Sequence, residues 1–150
     1  MSETTSALKP ARPARPEFRN IDLPAIAFGY RLPIAGRVSI LHRVSGLLLF
    51  VLLPFIIWLL DVSVSSEISF GRLTSLYTAG IGFIPAWFVK LVTLVLMWAY
   101  LHHFCAGVRH LWMDATHSVT KSFGQSSAIA VLVVSLALTV ALGLKLFGVY

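Results

Sequence analysis

The chain has 150 residues, of which 57% are hydrophobic and only 12% charged. A water-soluble domain of this size carries about one-quarter charged residues, so the composition excludes an ordinary soluble fold. The net charge of +6 would suggest nucleic-acid binding in a soluble protein, but here the apolar residues gather into three long runs and no nucleic-acid partner is expected. The single cysteine, Cys105, excludes a disulfide framework and any multi-cysteine iron–sulfur or zinc site within this chain.

Residues 1–30 hold Pro10, Pro13, Pro16 and Pro24 and no apolar run long enough for a signal-peptide core. They are read as a cytoplasmic N-terminal arm. A mitochondrial transit peptide is the alternative, and the prolines speak against it. Seven of the twelve basic residues (Lys9, Arg12, Arg15, Arg19, Arg31, Arg37, Arg43) precede the first apolar run, whereas the loop after it has only Arg72. Cytoplasmic flanks carry the excess of Lys and Arg, so the N-terminus is expected inside.

Residues 31–150 then read as a three-helix transmembrane domain. The first span is placed at about 38–60, kinked by Pro54. Asp61–Ile84 reads as a polar loop with Gly71, Gly80 and Gly82 that delivers Pro85 to the first turn of the next helix. The second span, about 85–114, contains Lys90, His102, His103, Arg109 and His110. Lys90 lies near its outer end and can snorkel, but ionisable groups deeper in a span point to function. After a short polar linker the third span runs over about 128–147, with Lys145 as its one charge. Three crossings from an inside N-terminus put the C-terminus outside. The expected fold is an all-α integral membrane bundle, completed by a partner subunit and bathed in lipid.

At 100° per residue, His103, Gly107, His110 and Asp114 share one face of the second helix. Gly107 removes the side chain from the middle of that stripe, which would let a flat ligand approach the backbone. Helix one enters from the cytoplasm and helix two arrives there, so His42 and Arg43 are expected near the level of Arg109 and His110. His103 would then lie ~10 Å deeper, seven residues at 1.5 Å each. This arrangement suits a porphyrin with its iron at His103 and its carboxylates near His42, Arg43 and His110. His102 points about 100° away from His103, and a shift of one residue would exchange the two as ligand.

Two segments carry a family resemblance. Ser39-Ile-Leu-His42-Arg43-Val-Ser45-Gly46 in the first span and His103-Phe-Cys-Ala-Gly107-Val-Arg109-His110-Leu-Trp-Met-Asp114 in the second resemble the cytochrome b subunit of succinate dehydrogenase. The likeness covers roughly residues 31–147. Ahead of the first span the family often has Ser-Pro-His-Leu-x-x-Tyr, of which only Tyr30-Arg31-Leu32-Pro33 is recognisable here.

The resemblance implies a membrane-anchor subunit of complex II that passes electrons from a partner's iron–sulfur clusters to ubiquinone. It implies His103 as an axial ligand of haem b, with His42, Arg43, Gly107 and His110 around the haem propionates or pocket. Ser39 and Arg43 would line the quinone site, Ser39 bonding a quinone carbonyl and Arg43 offsetting the charge of the reduced form. An iron–sulfur subunit, a flavoprotein subunit and a second small anchor giving the other haem ligand are the implied partners. A bacterial inner membrane is favoured over a mitochondrial one. Two rivals remain open: the same anchor role in a quinol:fumarate reductase, and a non-enzymatic scaffold or transport subunit whose histidines bind a metal or line a proton path.

Overall fold

The structure is a computed structural model that describes residues 22–24 and 31–149. The chain divides into Met1–Arg31 and Leu32–Tyr150, and all five helices named below belong to the second part. The expected arm, residues 1–30, lies outside the described residues except for 22–24.

Helix α1 (Ile34–Val51) begins at Pro33, whose extended backbone (φ −61°, ψ 155°) sets the entry. Its start is four residues before the expected position, because Ile34 to Arg37 continue the helical turn beyond the apolar run that marked the span. Helix α2 (Leu53–Ser65) follows after a break at Leu52. Pro54, two residues on, has no N–H to donate and its ring crowds the preceding turn, so the single kinked helix expected over 38–60 is instead two helices broken at Leu52.

Helix α3 (Glu67–Thr78) corrects the reading of Asp61–Ile84 as a loop. It is launched by a reciprocal cap: Ser69 N–H donates to Ser66 Oγ at 3.1 Å, and Ser66 N–H donates to Ser69 Oγ at 3.0 Å. Glu67 adds a carboxylate at the positive end of the helix. Leu73, Leu76 and Tyr77 recur at helical spacing and are half-buried, and Tyr77 Oη meets Thr93 Oγ1 at 3.1 Å to tie α3 to the next helix.

A tight turn reverses the chain. Ile81 and Ile84 exchange backbone hydrogen bonds of 2.9 and 2.8 Å, and Gly80 and Gly82 take the positive φ angles, 86° and 55°, that the turn demands. Helix α4 (Ala86–Thr116) then runs 31 residues, or about 46 Å at 1.5 Å per residue. It ends at His117, which adopts the left-handed conformation (φ 51°). Helix α5 (Lys121–Leu146) starts seven residues ahead of the expected 128, capped by Thr120 Oγ1 accepting from Phe123 N–H at 3.3 Å. Its first turns, with Lys121, Ser122, Gln125, Ser126 and Ser127, are helical but too polar to count as span.

Helix α4 is the central element, packed against α5, α1 and α3. Many of the buried side chains on α4 and α5 are small: Ala99 and Ala106 on α4, Ala128, Ser135, Thr139 and Gly143 on α5. Close approach through small residues is how helices associate where lipid supplies no hydrophobic drive. Helices α1, α4 and α5, of 18, 31 and 26 residues, are each long and apolar enough to cross a bilayer core of about 30 Å. Large apolar side chains such as Phe50, Leu111 and Val133 point outward, 74%, 70% and 60% exposed. In water that surface would aggregate; in a bilayer it meets lipid or a partner helix. The architecture is all-helical with three spans, and no strand is present among the described residues.

Candidate functional site

The site is built on the contact between α1 and α4, and its register is set by two histidine–glycine pairs, each four residues apart. The His42 ring lies over Gly107, where an added Cβ would stand 3.8 Å from His42 Nε2. The His103 ring lies over Gly46, where an added Cβ would stand 2.8 Å from His103 Cε1 and 3.2 Å from Nδ1. Each helix thus offers one imidazole and one bare backbone position to the other.

The two rings stack, with centroids 4.2 Å apart and planes inclined by 24°. His110 continues the row, its centroid 5.3 Å from that of His42. His103, Gly107, His110 and His42 are therefore brought together as expected. The depth relation is corrected. His42 is opposite Gly107, not His110, so His103 is about one turn below it and the two rings touch. A depth estimate from span ends alone misplaced α1 against α4 because α1 begins earlier than its apolar run.

Hydrogen bonding orients His103. Its Nδ1 is 3.1 Å from the backbone carbonyl of His42 and 3.4 Å from Ser45 Oγ. A carbonyl can only accept, so Nδ1 carries the proton and Nε2 keeps its lone pair. Among the described residues Nε2 has no hydrogen-bond partner. His42 Nε2 is buried and also without one. Ser45 is fully buried and donates Oγ–H to the His42 carbonyl at 2.8 Å.

His102, one residue away, has a different environment. It is fully buried, stacks on Trp98 with centroids 5.6 Å apart, and places Nδ1 3.4 Å from Ser135 Oγ. Its Nε2 is buried and without a hydrogen-bond partner. It belongs to the α4–α5 packing, whereas His103 turns to α1.

The quinone candidates lie on α1. Ser39 is half-buried, one turn before His42, and Arg43 is exposed beside it. Arg43 makes no hydrogen bond or ion pair with any described residue. Asp114, at the end of the α4 stripe, is also exposed.

Two residues have roles that sequence reasoning did not assign. Gly46 stood in the first motif without a role, and its signal was the same four-residue spacing to a histidine that drew attention to Gly107. The contact distances predict that Gly46→Ala is the damaging change. Its Cβ would push a pinned ring, an overpacking cost of about 1–3 kcal/mol that outweighs the roughly 1 kcal/mol gained in helix propensity. Gly107→Ala meets only an ordinary contact. Thermal unfolding of the purified complex should therefore show a lower midpoint for Gly46→Ala than for Gly107→Ala.

Arg109 is the other. It is 9% exposed, and it donates from Nε to Ser127 Oγ at 2.9 Å and from Nη2 to the Gly124 carbonyl at 3.2 Å. It ties α4 to the first turns of α5, so an arginine inside a span is satisfied by protein and not by water. Arg109→Leu is expected to cost about 1–3 kcal/mol, seen as a lowered thermal midpoint of the complex. With Arg37 and Lys121 it also lines a cavity of about 710 Å³ at this end of the bundle.

These features define a three-span helical membrane subunit with a histidine-bearing seam between its first and central spans. Comparison with known proteins agrees. The sequence pattern of the succinate dehydrogenase/fumarate reductase transmembrane subunit family matches residues 22–142. The chain is 35% identical over 116 residues to the succinate dehydrogenase cytochrome b556 subunit of Coxiella burnetii, covering 77% of this chain and 85% of that one. It is 32% identical over 111 residues to the subunit of the same name from Paracoccus denitrificans (74% and 80% covered) and 27% identical over 113 residues to that of Rickettsia felis (75% and 82%). The chain belongs to the succinate dehydrogenase/fumarate reductase transmembrane subunit family and is a multi-pass membrane subunit of the succinate dehydrogenase complex.

Proposed function

We propose that this chain binds haem b and ubiquinone and relays electrons from the iron–sulfur subunit of its complex to the quinone. The observation that carries the reading is the state of His103: its Nδ1–H is committed to the His42 carbonyl, which leaves Nε2 as the free lone-pair nitrogen. A metal-ligating histidine is held in this way, with its other nitrogen fixed by a carbonyl or carboxylate. The partnerless Nε2 of His42 suits a haem propionate, with His110 beyond it in the same row and Gly107 giving the His42 ring its place in the pocket. Bound there, the haem supplies a one-electron carrier. The cytochrome b556 name of the relatives supports the same reading.

The second axial ligand comes from a second small membrane subunit. His42 cannot supply it, because it stacks face to face on His103 at 4.2 Å. A flat ring between them would need about 7 Å, twice a carbon contact of about 3.5 Å. His102 is turned into the α4–α5 core, His110 lies beyond His42, and His117 is exposed at the end of α4. The apolar outer faces of the three spans are suited to lipid and to that partner. The flavoprotein and iron–sulfur subunits complete the assembly.

Ser39 and Arg43 hold the quinone on the exposed side of α1, Ser39 donating to a carbonyl oxygen and Arg43 offsetting the negative charge that develops there. The basic end of the bundle, with Arg37, Arg109 and Lys121, supports a cytoplasmic N-terminus and a bacterial inner membrane as the location. Purification of the complex tests the whole reading. The expected result is one b-type haem per complex in the reduced absorption spectrum, together with ubiquinone and three partner subunits. A complex without a haem b band sinks it, and so does stoichiometric low-spin haem on this chain alone.

A further inference from the structure

We infer that Ser45 is a positioning residue for His103: its hydroxyl competes for the His42 carbonyl that binds His103 Nδ1–H, and so sets the electron-donating strength of Nε2. The inference rests on the reading of His103 as the haem ligand. Three donors meet at one carbonyl oxygen. The Gly46 N–H reaches it as the ordinary helical partner four residues on. The Ser45 hydroxyl reaches it at 2.8 Å, and the imidazole Nδ1–H at 3.1 Å.

A carbonyl has two lone pairs, so this oxygen is oversubscribed and the shorter hydroxyl bond weakens the longer imidazole one. Ser45 Oγ has spent its only proton there, so towards Nδ1 at 3.4 Å it can only accept. Both groups facing Nδ1 are therefore acceptors, and the tautomer with Nε2 unprotonated is the only one compatible with them. Ser45 is fully buried, which keeps water from taking over when the hydroxyl is removed. Gly46 completes the arrangement, since any side chain there would displace the ring from both acceptors.

Removing the hydroxyl should return the carbonyl to Nδ1–H, and the strengthened 3.1 Å bond outweighs the loss of the weaker acceptor at 3.4 Å. The imidazole becomes a stronger donor, ferric haem is favoured and the midpoint potential falls. The test uses the purified complete complex carrying Ser45→Ala or Ser45→Thr. Haem content, an equilibrium redox titration and the low-spin ferric electron paramagnetic resonance spectrum are measured.

For Ser45→Ala the expected result is wild-type haem content and an oxidised-to-reduced ratio about threefold higher at the wild-type midpoint. At 59 mV per tenfold for one electron this is a fall of about 28 mV. Ser45→Thr keeps the hydroxyl and should titrate as wild type. An unmoved midpoint and spectrum in Ser45→Ala would overturn the inference, as would equal shifts in both variants, which would indicate packing alone. If Ser45→Ala assembles without haem, recovery of haem in Ser45→Thr supports the hydroxyl's role and its continued absence overturns it. His103→Leu separates the two levels. Haem retained there sinks the ligand reading itself, whereas haem lost there with a silent Ser45→Ala sinks only the role of Ser45.

Discussion

Replacing His103 with leucine is expected to leave the purified complex with almost no haem b, while His102→Leu keeps the haem and loses stability. The two histidines are neighbours in sequence but face different helices. His103 directs an imidazole with a fixed Nδ1–H to the α1–α4 seam, beside His42 and Gly46. Loss of partners that merely orient a metal ligand costs about 10–100-fold in affinity, and loss of the ligand should cost more. His102 is fully buried against Trp98 and Ser135. Its replacement removes a ring contact and a hydrogen bond, about 1–3 kcal/mol, and leaves the His103 surroundings untouched. Haem-to-protein ratio from the reduced absorption spectrum, with a thermal scan of each variant, checks both halves. Haem lost after His102→Leu and kept after His103→Leu would reverse the assignment.

The spans were legible because a bilayer demands long apolar runs, and α1, α4 and α5 each contain one. Helical turns that leave the apolar zone were not. The polar first turns of α5 and the whole of α3 satisfy their backbone by hydrogen bonds and caps, such as Ser66 with Ser69, and no hydropathy pattern records that. Within the site, the shared face of His103, Gly107 and His110 followed from 100° per residue. The relation between two helices did not, because register depends on where each helix begins and which bare positions accept which rings.

That is why Gly46 was overlooked and His42 was set at the wrong depth. The open groove expected over Gly107 is filled by the His42 ring. Arg109 reads in sequence as one more cation at a membrane edge, and only its bonds to Ser127 and Gly124 identify it as a tie between helices.

Arg43 is expected to separate the two activities of the complex. It sits on α1 next to His42, exposed and without a hydrogen bond or ion pair to any described residue, so its guanidinium is free to meet a ligand and contributes little to the packing of this chain. Losing one preorganised group that stabilises developing charge typically costs about 100-fold or more. Arg43→Leu should therefore lower ubiquinone reduction by about that factor while succinate oxidation, assayed with a soluble electron acceptor, stays at the wild-type rate.

Arg43→Lys keeps the charge but loses the planar fork and should fall between the two. Ser39→Ala removes one neutral donor and should cost less than either change at Arg43, since hydrogen bonds to charged groups are the stronger ones. Equal loss of both activities in Arg43→Leu would mean that the complex fails to assemble. Unchanged quinone reduction would mean that Arg43 is only an anchor at the cytoplasmic interface. The ranking leucine, lysine, alanine at position 39 is the signature of a charge acting on a bound quinone, because a side chain that merely anchors the helix end would be replaced by lysine at no cost.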